Sequence, residues 1–247
     1  MDLQNVMSVA SKDFESYKRK RSVIAYTFGL PLVLSVAFSL VVQNDIAPAV
    51  QSGANPDSLN LGLESLIYFF VIFAAVLPTS IAAYSIVGEK VERSLEPMLA
   101  TPLSDNEILL GKTIASLVPP VLTTWLGASI FMATSDFLLH GIISYYYFPN
   151  WNAGIMLFVL APLAALFGVE VAVIASSRIS DVRGANQLGG LVWIPFMAIF
   201  IYAVEGNFQF NVGNLLLFSG MLALLELLLF FIASTTFRRE QILTKWK

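Results

Sequence analysis

The chain has 247 residues, of which 57% are hydrophobic and only 13% charged, with a mean hydropathy of +0.74 and a formal net charge of −3. A soluble domain carries about 25% charged residues, so this composition excludes an ordinary water-soluble globule and indicates an integral membrane protein. No cysteine and a single histidine, His140, exclude disulfides, thiolate or histidine-cluster metal sites and cysteine nucleophiles.

Residues 1–21 are polar but patterned. Leu3, Val6, Met7, Ala10, Phe14 and Tyr17 recur at helical spacing, and Lys12, Lys18, Arg19, Lys20 and Arg21 crowd the end. This suits an amphipathic, interfacial elbow helix that lies in the membrane surface and leads into a span. A solvated N-terminal helix would show the same spacing. The apolar run that follows is too long for a signal-peptide core and has no cleavage-site pattern behind it, so it is expected to be retained.

Crossing the ~30 Å hydrocarbon core takes about 20 apolar residues. Six stretches qualify: 22–43, 66–87, 113–135, 152–177, 188–204 and 212–237. Together they predict an all-α protein with six transmembrane helices, in which residues 22–247 form one membrane domain behind the 1–21 helix. The fourth stretch is interrupted only by Glu170 and the sixth only by Glu226, while the fifth is short. Pro31, Pro78, Pro119, Pro120, Pro162 and Pro195 lie within spans, tolerated where neighbouring helices re-satisfy the freed carbonyls.

Between the second and third spans lies Gly88–Lys112, GEKVERSLEPMLATPLSDNEILLGK. Val91, Leu95, Met98 and Leu99 fall at i, i+4, i+7 and i+8, one face of a short helix, and Glu89, Lys90, Glu92, Arg93 and Glu96 supply its polar side. Thr101-Pro102 stops that helix, since proline disfavours helical geometry in the residue before it. Ser104 with Glu107 three residues on is a capping-box signature for the next helix. A charged amphipathic helix with its own stop, set between two spans, reads as a docking element. Gly111-Lys112-Thr113 superficially suggests a phosphate-binding loop, but that motif needs a glycine where Asn106 stands, and a preceding strand. The chain is therefore expected to have no nucleotide site of its own.

Further along, Tyr145, Tyr146, Tyr147, Phe148 and Trp151 resemble an interfacial aromatic belt, with a substrate-binding cluster as the sharper alternative. Ala161, Ala165, Gly168, Ala172 and Ser176 form a small-residue ladder that lets helices approach closely, in a dimer seam or an internal contact. Glu226 lies twelve residues before Arg238, hence about 18 Å into the membrane at 1.5 Å per residue. Glu170 lies nearer the inner surface. Ionisable residues in spans are costly and count as functional hypotheses: either Glu226 belongs to a substrate pathway or proton relay, or it is protonated or hydrogen-bonded to neighbouring helices such as those carrying Thr123, Thr124 or Asn214. No hydrolase elbow, zinc-protease pair or carboxylate–histidine cluster is present, so catalysis by this chain is not expected.

Orientation follows from charge. Five Lys/Arg lie in 1–21, three in 88–112, two in 178–187 and four in 238–247, which accounts for all fourteen. The alternate loops, 44–65, 136–151 and 205–211, have none and carry Asp45, Asp57, Glu64, Asp136 and Glu205. Basic residues in short loops favour the cytoplasm, so both termini and the 88–112 segment are expected inside.

The 88–112 segment resembles the membrane subunits of ABC-2 type transporters, the type V exporter permeases. Members show G-E-K/R, then T/S-L-E, T-P-V/L-S and E-I-L-x-G-K entering the third span. Here these read Gly88-Glu89-Lys90, Ser94-Leu95-Glu96, Thr101-Pro102-Leu103-Ser104 and Glu107-Ile108-Leu109-Leu110-Gly111-Lys112. Arg178–Gln187 before the fifth span and Phe237-Arg238-Arg239-Glu240 after the sixth are also similar. Arg93, where the family usually has glycine, and Pro97, where it has a helix former, depart from the pattern.

The resemblance implies an exporter permease in the cell membrane that pairs with a second copy of itself and two copies of a separate ABC ATPase. Val91–Ala100 would be the coupling helix, docking into a groove on the ATPase, with Glu92, Arg93 and Glu96 in polar contact and Leu95, Met98 and Leu99 filling that groove or seating the helix on the bundle. ATP and Mg would be bound by the ATPase; this chain would hold no cofactor or metal and bind no nucleic acid. Two rivals remain at this stage. One is a proton-coupled secondary transporter using Glu226 and Glu170. The other is a non-transporting membrane scaffold on the same fold.

Overall fold

A computed structural model of the protein describes residues 2–18, 21–53, 55–83, 85, 103–178, 184, 187 and 189–236. Among them the regular secondary structure is helical, in the order α1 (Leu3–Lys18), α2 (Arg21–Val41), α3 (Ala47–Gln51), α4 (Pro56–Ala83), α5 (Asp105–Leu139), α6 (Trp151–Ile155), α7 (Ala161–Arg178), α8 (Trp193–Val204) and α9 (Val212–Thr236). Short π-helical turns, Val42–Ile46 and Met156–Leu160, join α2 to α3 and α6 to α7. Five helical stretches are long and apolar enough to cross a membrane: Arg21–Gln51, Asp57–Ala83, Asp105–Leu139, Trp151–Ser176 and Val212–Ala233.

Both π turns have the same local cause. Each sits just upstream of a proline, Pro48 or Pro162, whose ring carries no N–H and clashes with the carbonyl four residues back. One widened turn shifts the ladder past that carbonyl, with Ala47 N–H donating to Val42 O and Ala161 N–H to Met156 O. A carbonyl inside the second turn finds a new donor, since Trp125 Nε1 donates to Leu157 O at 2.6 Å.

Helix α4 is the central post. It is apolar on all sides, the signature of a fully enclosed helix, and Leu63, Ile67, Tyr68, Phe70, Ala74, Ala75 and Leu77 are buried. Its main neighbour is α7, whose Ala161, Ala165 and Ala172 are also buried. The small-residue ladder is therefore an internal seam: Gly168 lies directly on the Ala75 carbonyl, where any Cβ would collide. Helices α2 and α5 cross in the same way, a Cβ on Gly127 falling 2.7 Å from Pro31 O. Phe38, Phe69, Phe70 and Phe131 fill the space between α2, α4 and α5 with ring centroids 5.6–6.1 Å apart.

At 35 residues, α5 is about 52 Å long, well beyond the ~30 Å core, so its ends project past the apolar layer. It begins with the expected capping box, Glu107 N–H donating to Ser104 Oγ at 3.3 Å and Ser104 N–H to Glu107 Oε2 at 2.9 Å. The fifth predicted stretch, 188–204, is helical over Trp193–Val204, only 12 residues, or about 18 Å. A two-residue turn at Leu191–Val192 separates it from Gly189 and Gly190, which are themselves helical.

Candidate functional site

The residues expected to dock a partner, Val91, Glu92, Arg93, Leu95, Glu96, Met98 and Leu99, lie outside the described residues. What is described is the frame on either side of them: Ser85 after α4, Leu103 and Ser104 before α5, and α1 laid across both.

Helix α1 is held by the first turns of α5. Val6, Val9, Ala10, Asp13 and Tyr17 form its buried face. This departs from the expected apolar stripe, because Leu3 and Met7 are 73% and 57% exposed whereas Val9 and Asp13 are buried. Two residues of α5 explain the rotation. Gly111 leaves room for α1, since a Cβ there would meet Val9 Cβ at 2.6 Å and Val6 O at 2.8 Å. Lys112, the next residue, draws in Asp13.

The Lys112–Asp13 contact is a buried charge cluster, with the two residues 1% and 3% exposed. Lys112 Nζ lies 3.4 Å from Asp13 Oδ2. It donates to Ser85 O at 2.9 Å and contacts Ser85 Oγ at 3.0 Å, and Ser85 Oγ donates to Asp13 Oδ2 at 2.7 Å. Each desolvated charge thus meets an opposite charge and oriented dipoles, the condition under which a buried pair is tolerated. Three elements meet there: α1, the end of the α4 segment and the start of α5. Sequence reasoning passed over this cluster. The available signal was a carboxylate, Asp13, seven residues after Val6 and three after Ala10 on an otherwise apolar stripe, which requires a cation across the interface.

A second contact fixes the end of α1. Glu107 Oε1 accepts from the Asp2 N–H at 2.7 Å and from Asn5 Nδ2 at 3.4 Å. The Asp2 N–H foremost, then the Ser104 N–H and hydroxyl, hold the Glu107 carboxyl down at about 2, below the ordinary 4.5. Gly111-Lys112 and Glu107 of the E-I-L-x-G-K motif therefore seat a helix, and the phosphate-loop reading fails on geometry as well as spacing.

Glu170 of α7 and Glu226 of α9 are 2% and 4% exposed, and their carboxyl groups lie close enough across the two neighbouring helices to interact electrostatically. No N–H or O–H of another described residue reaches their oxygens. The neighbouring-helix partners considered from sequence are otherwise engaged or apart: Thr123 donates to Pro120 O and Asn214 to Gln209 O, while Thr124 Oγ1 has no hydrogen-bond partner. The structure thus brings together two carboxyls that lie 56 positions apart (226 less 170) in the chain.

A search of curated proteins found no match to this chain. The model of one protein family, described as ABC-2 family transporter protein, matches residues 7–244. That match takes in α1 from Met7 onward, every apolar helix described and the segment between α4 and α5. The chain is accordingly a multi-pass membrane protein and a permease subunit of an ABC transporter, a transport component that partners an ABC ATPase. With nearly its whole length matched, the protein belongs to the ABC-2 family of transporter proteins.

Proposed function

We propose that the chain is the membrane half of an ATP-driven exporter, docked on its ATPase through Val91–Ala100 and working as a pair of identical copies with two ATPases. In this reading both termini, α1 and the 86–102 segment are cytoplasmic. Six passes cross the cell membrane, the fifth through the short α8. Glu92, Arg93 and Glu96 meet the ATPase, which binds ATP and Mg, while Leu95, Met98 and Leu99 seat the helix.

The observation that carries the reading is the Asp13–Ser85–Lys112 cluster. A docking helix transmits force only if its base is fixed to the bundle, and this cluster ties both flanks of 86–102 to α1 at one point. It also sets α1 against the two flanks of that segment, Ser85 and Lys112, which supports a flanking contact of α1 with the ATPase.

The test uses the absence of cysteine in the native chain. Single cysteines at Glu96 and Tyr145 are introduced and labelled in intact cells with a membrane-impermeant maleimide. The reading expects Tyr145→Cys to label from outside, and Glu96→Cys to remain protected and to crosslink to an ATPase subunit after cell lysis. Labelling of Glu96→Cys from outside would overturn the orientation.

The facing carboxyls favour one second reading, in which Glu170 and Glu226 carry a proton through the transport cycle. Two neighbouring carboxyls disfavour each other's ionisation, so separation of α7 from α9 would change proton occupancy. Proton-driven uptake in vesicles without any ATPase, abolished by Glu226→Gln, would favour it over ATP coupling.

A further inference from the structure

At the end of the bundle opposite the Asp13–Lys112 cluster is an open cleft of about 350 Å³, lined by Asn60, Glu64, Tyr145, Tyr147, Trp151 and Asn152 among others. Its volume is at the small end of the range for ligand sites, about 300–1,000 Å³. The sequence elements that form it come from α4, the α5–α6 connection and α6, and each is held in place.

Glu64 is 8% exposed. Its Oε1 accepts from Asn152 Nδ2 at 2.6 Å and from Tyr147 Oη at 3.3 Å. Asn152 is fixed in turn by donating to Phe210 O at 2.6 Å. The Tyr147 and Phe148 N–H groups donate to Asp136 Oδ1 at 3.0 and 3.1 Å, which pins the aromatic loop. Asn150 caps α6 by accepting from the Ala153 N–H at 2.8 Å. Both donors to Glu64 fall on one oxygen. Oε2 accepts from no described residue and is not among the buried unpartnered atoms, so it opens to the cleft that Glu64 lines.

Around this oxygen the lining is aromatic and amide. Trp151 is 83% exposed, and Tyr145 is also exposed, while Tyr147 is buried against Glu64. Rings serving only as interfacial anchors would need lipid alone; these share a cleft with a positioned, half-satisfied carboxylate. The segments at this end, 44–65, 136–151 and 205–211, contain no Lys or Arg and five acidic residues. An anion would meet uncompensated negative charge there. A compact organic cation would meet a carboxylate oxygen and ring faces that attract positive charge.

We propose that this cleft binds a small organic ammonium ion, quaternary or protonated, with its charge on Glu64 Oε2 and its methyl or methylene groups against Tyr145, Tyr147 and Trp151. The inference goes beyond the transport reading and is tested by binding alone.

The experiment is isothermal titration of the full chain in phosphatidylglycerol nanodiscs with choline, its uncharged isostere 3,3-dimethyl-1-butanol, and N-acetylglucosamine. Saturable binding of choline alone is expected. Glu64→Gln should weaken it about tenfold or more, the loss of one charge-assisted contact. Trp151→Ala, a change at an exposed position that leaves the core intact, should weaken it about two- to fivefold, one exposed cation–π contact. Equal binding of the neutral isostere, binding of the sugar alone, or unchanged choline affinity in both variants would overturn the proposal. Repeating the titration in phosphatidylcholine discs distinguishes two sources of the same chemistry. Retained affinity identifies a free cation as the occupant, and loss of affinity identifies the lipid headgroup.

Discussion

Removing one charge from the Asp13–Lys112 pair should cost more than removing both. Lys112→Met leaves the Asp13 carboxylate buried at 3% exposure with Ser85 Oγ as the remaining donor of the cluster. Asp13→Leu leaves the ammonium against Ser85 O and Oγ, 2.9 and 3.0 Å away. Truncating one partner of a buried pair typically costs about 3–5 kcal/mol, whereas replacing both by apolar groups of similar volume is near neutral or stabilising. At roughly 2–4 °C per kcal/mol for a chain of this size, each single variant should melt about 6–20 °C below the parent. The Asp13→Leu/Lys112→Met double variant should recover most of that loss. The assay is thermal unfolding in detergent micelles, combined with hydrogen exchange of residues 3–18 to show whether α1 detaches first. Additive effects, with a coupling energy below about 0.5 kcal/mol, would refute the cluster as the tie between α1 and the bundle.

Further outcomes follow from the same geometry. Gly111→Ala places a Cβ 2.6 Å from Val9 Cβ and should destabilise by about 1–3 kcal/mol, as overpacking does; Gly154→Ala, which meets nothing within 4 Å, serves as control and should melt like the parent. The Glu107 carboxyl is held at about 2 against 4.5 when unfolded, so its contribution is fully present above pH 4.5 and is lost as pH falls from there towards 2. Glu107→Gln should flatten the stability profile in that window, and an unchanged acid limb would contradict the assignment. Glu226→Gln keeps a group able to donate to Glu170 and should leave folding intact. Glu226→Ala strands a buried carboxyl and should lower stability by roughly 1–3 kcal/mol; indistinguishable melting curves for the two variants would count against a direct contact.

Much of this architecture was legible in residue patterns because it depends on local chemistry. The five long helices, the capping box at Ser104 and Glu107, and the interior prolines Pro31, Pro78, Pro119 and Pro120 appear where apolar length and cap residues place them. The family was legible from the segment between α4 and α5. What one-dimensional spacing could not reveal was contact between distant helices. Asp13 and Lys112 lie 99 positions apart, and only the crossing of α1 over Gly111 brings them together. The same crossing rotates α1, so that Leu3 and Met7 leave the face where spacing alone placed them. The small-residue ladder was ambiguous until Gly168 met the Ala75 carbonyl, because close packing looks the same in sequence whether the neighbour is α4 or a second copy. Likewise Glu170 and Glu226 were each conspicuous as charges in apolar runs, but their facing arrangement depends on α7 and α9 being neighbours.

The central claim, that this permease is driven by a separate ATPase through Val91–Ala100, is tested most directly by affinity purification from native membranes followed by an ATP hydrolysis assay. The account predicts a stoichiometric partner carrying a nucleotide-binding motif, with hydrolysis uncoupled or the partner released by Glu96→Lys while membrane insertion is unchanged. Purification of this chain alone, or unchanged association and turnover in Glu96→Lys, would contradict it.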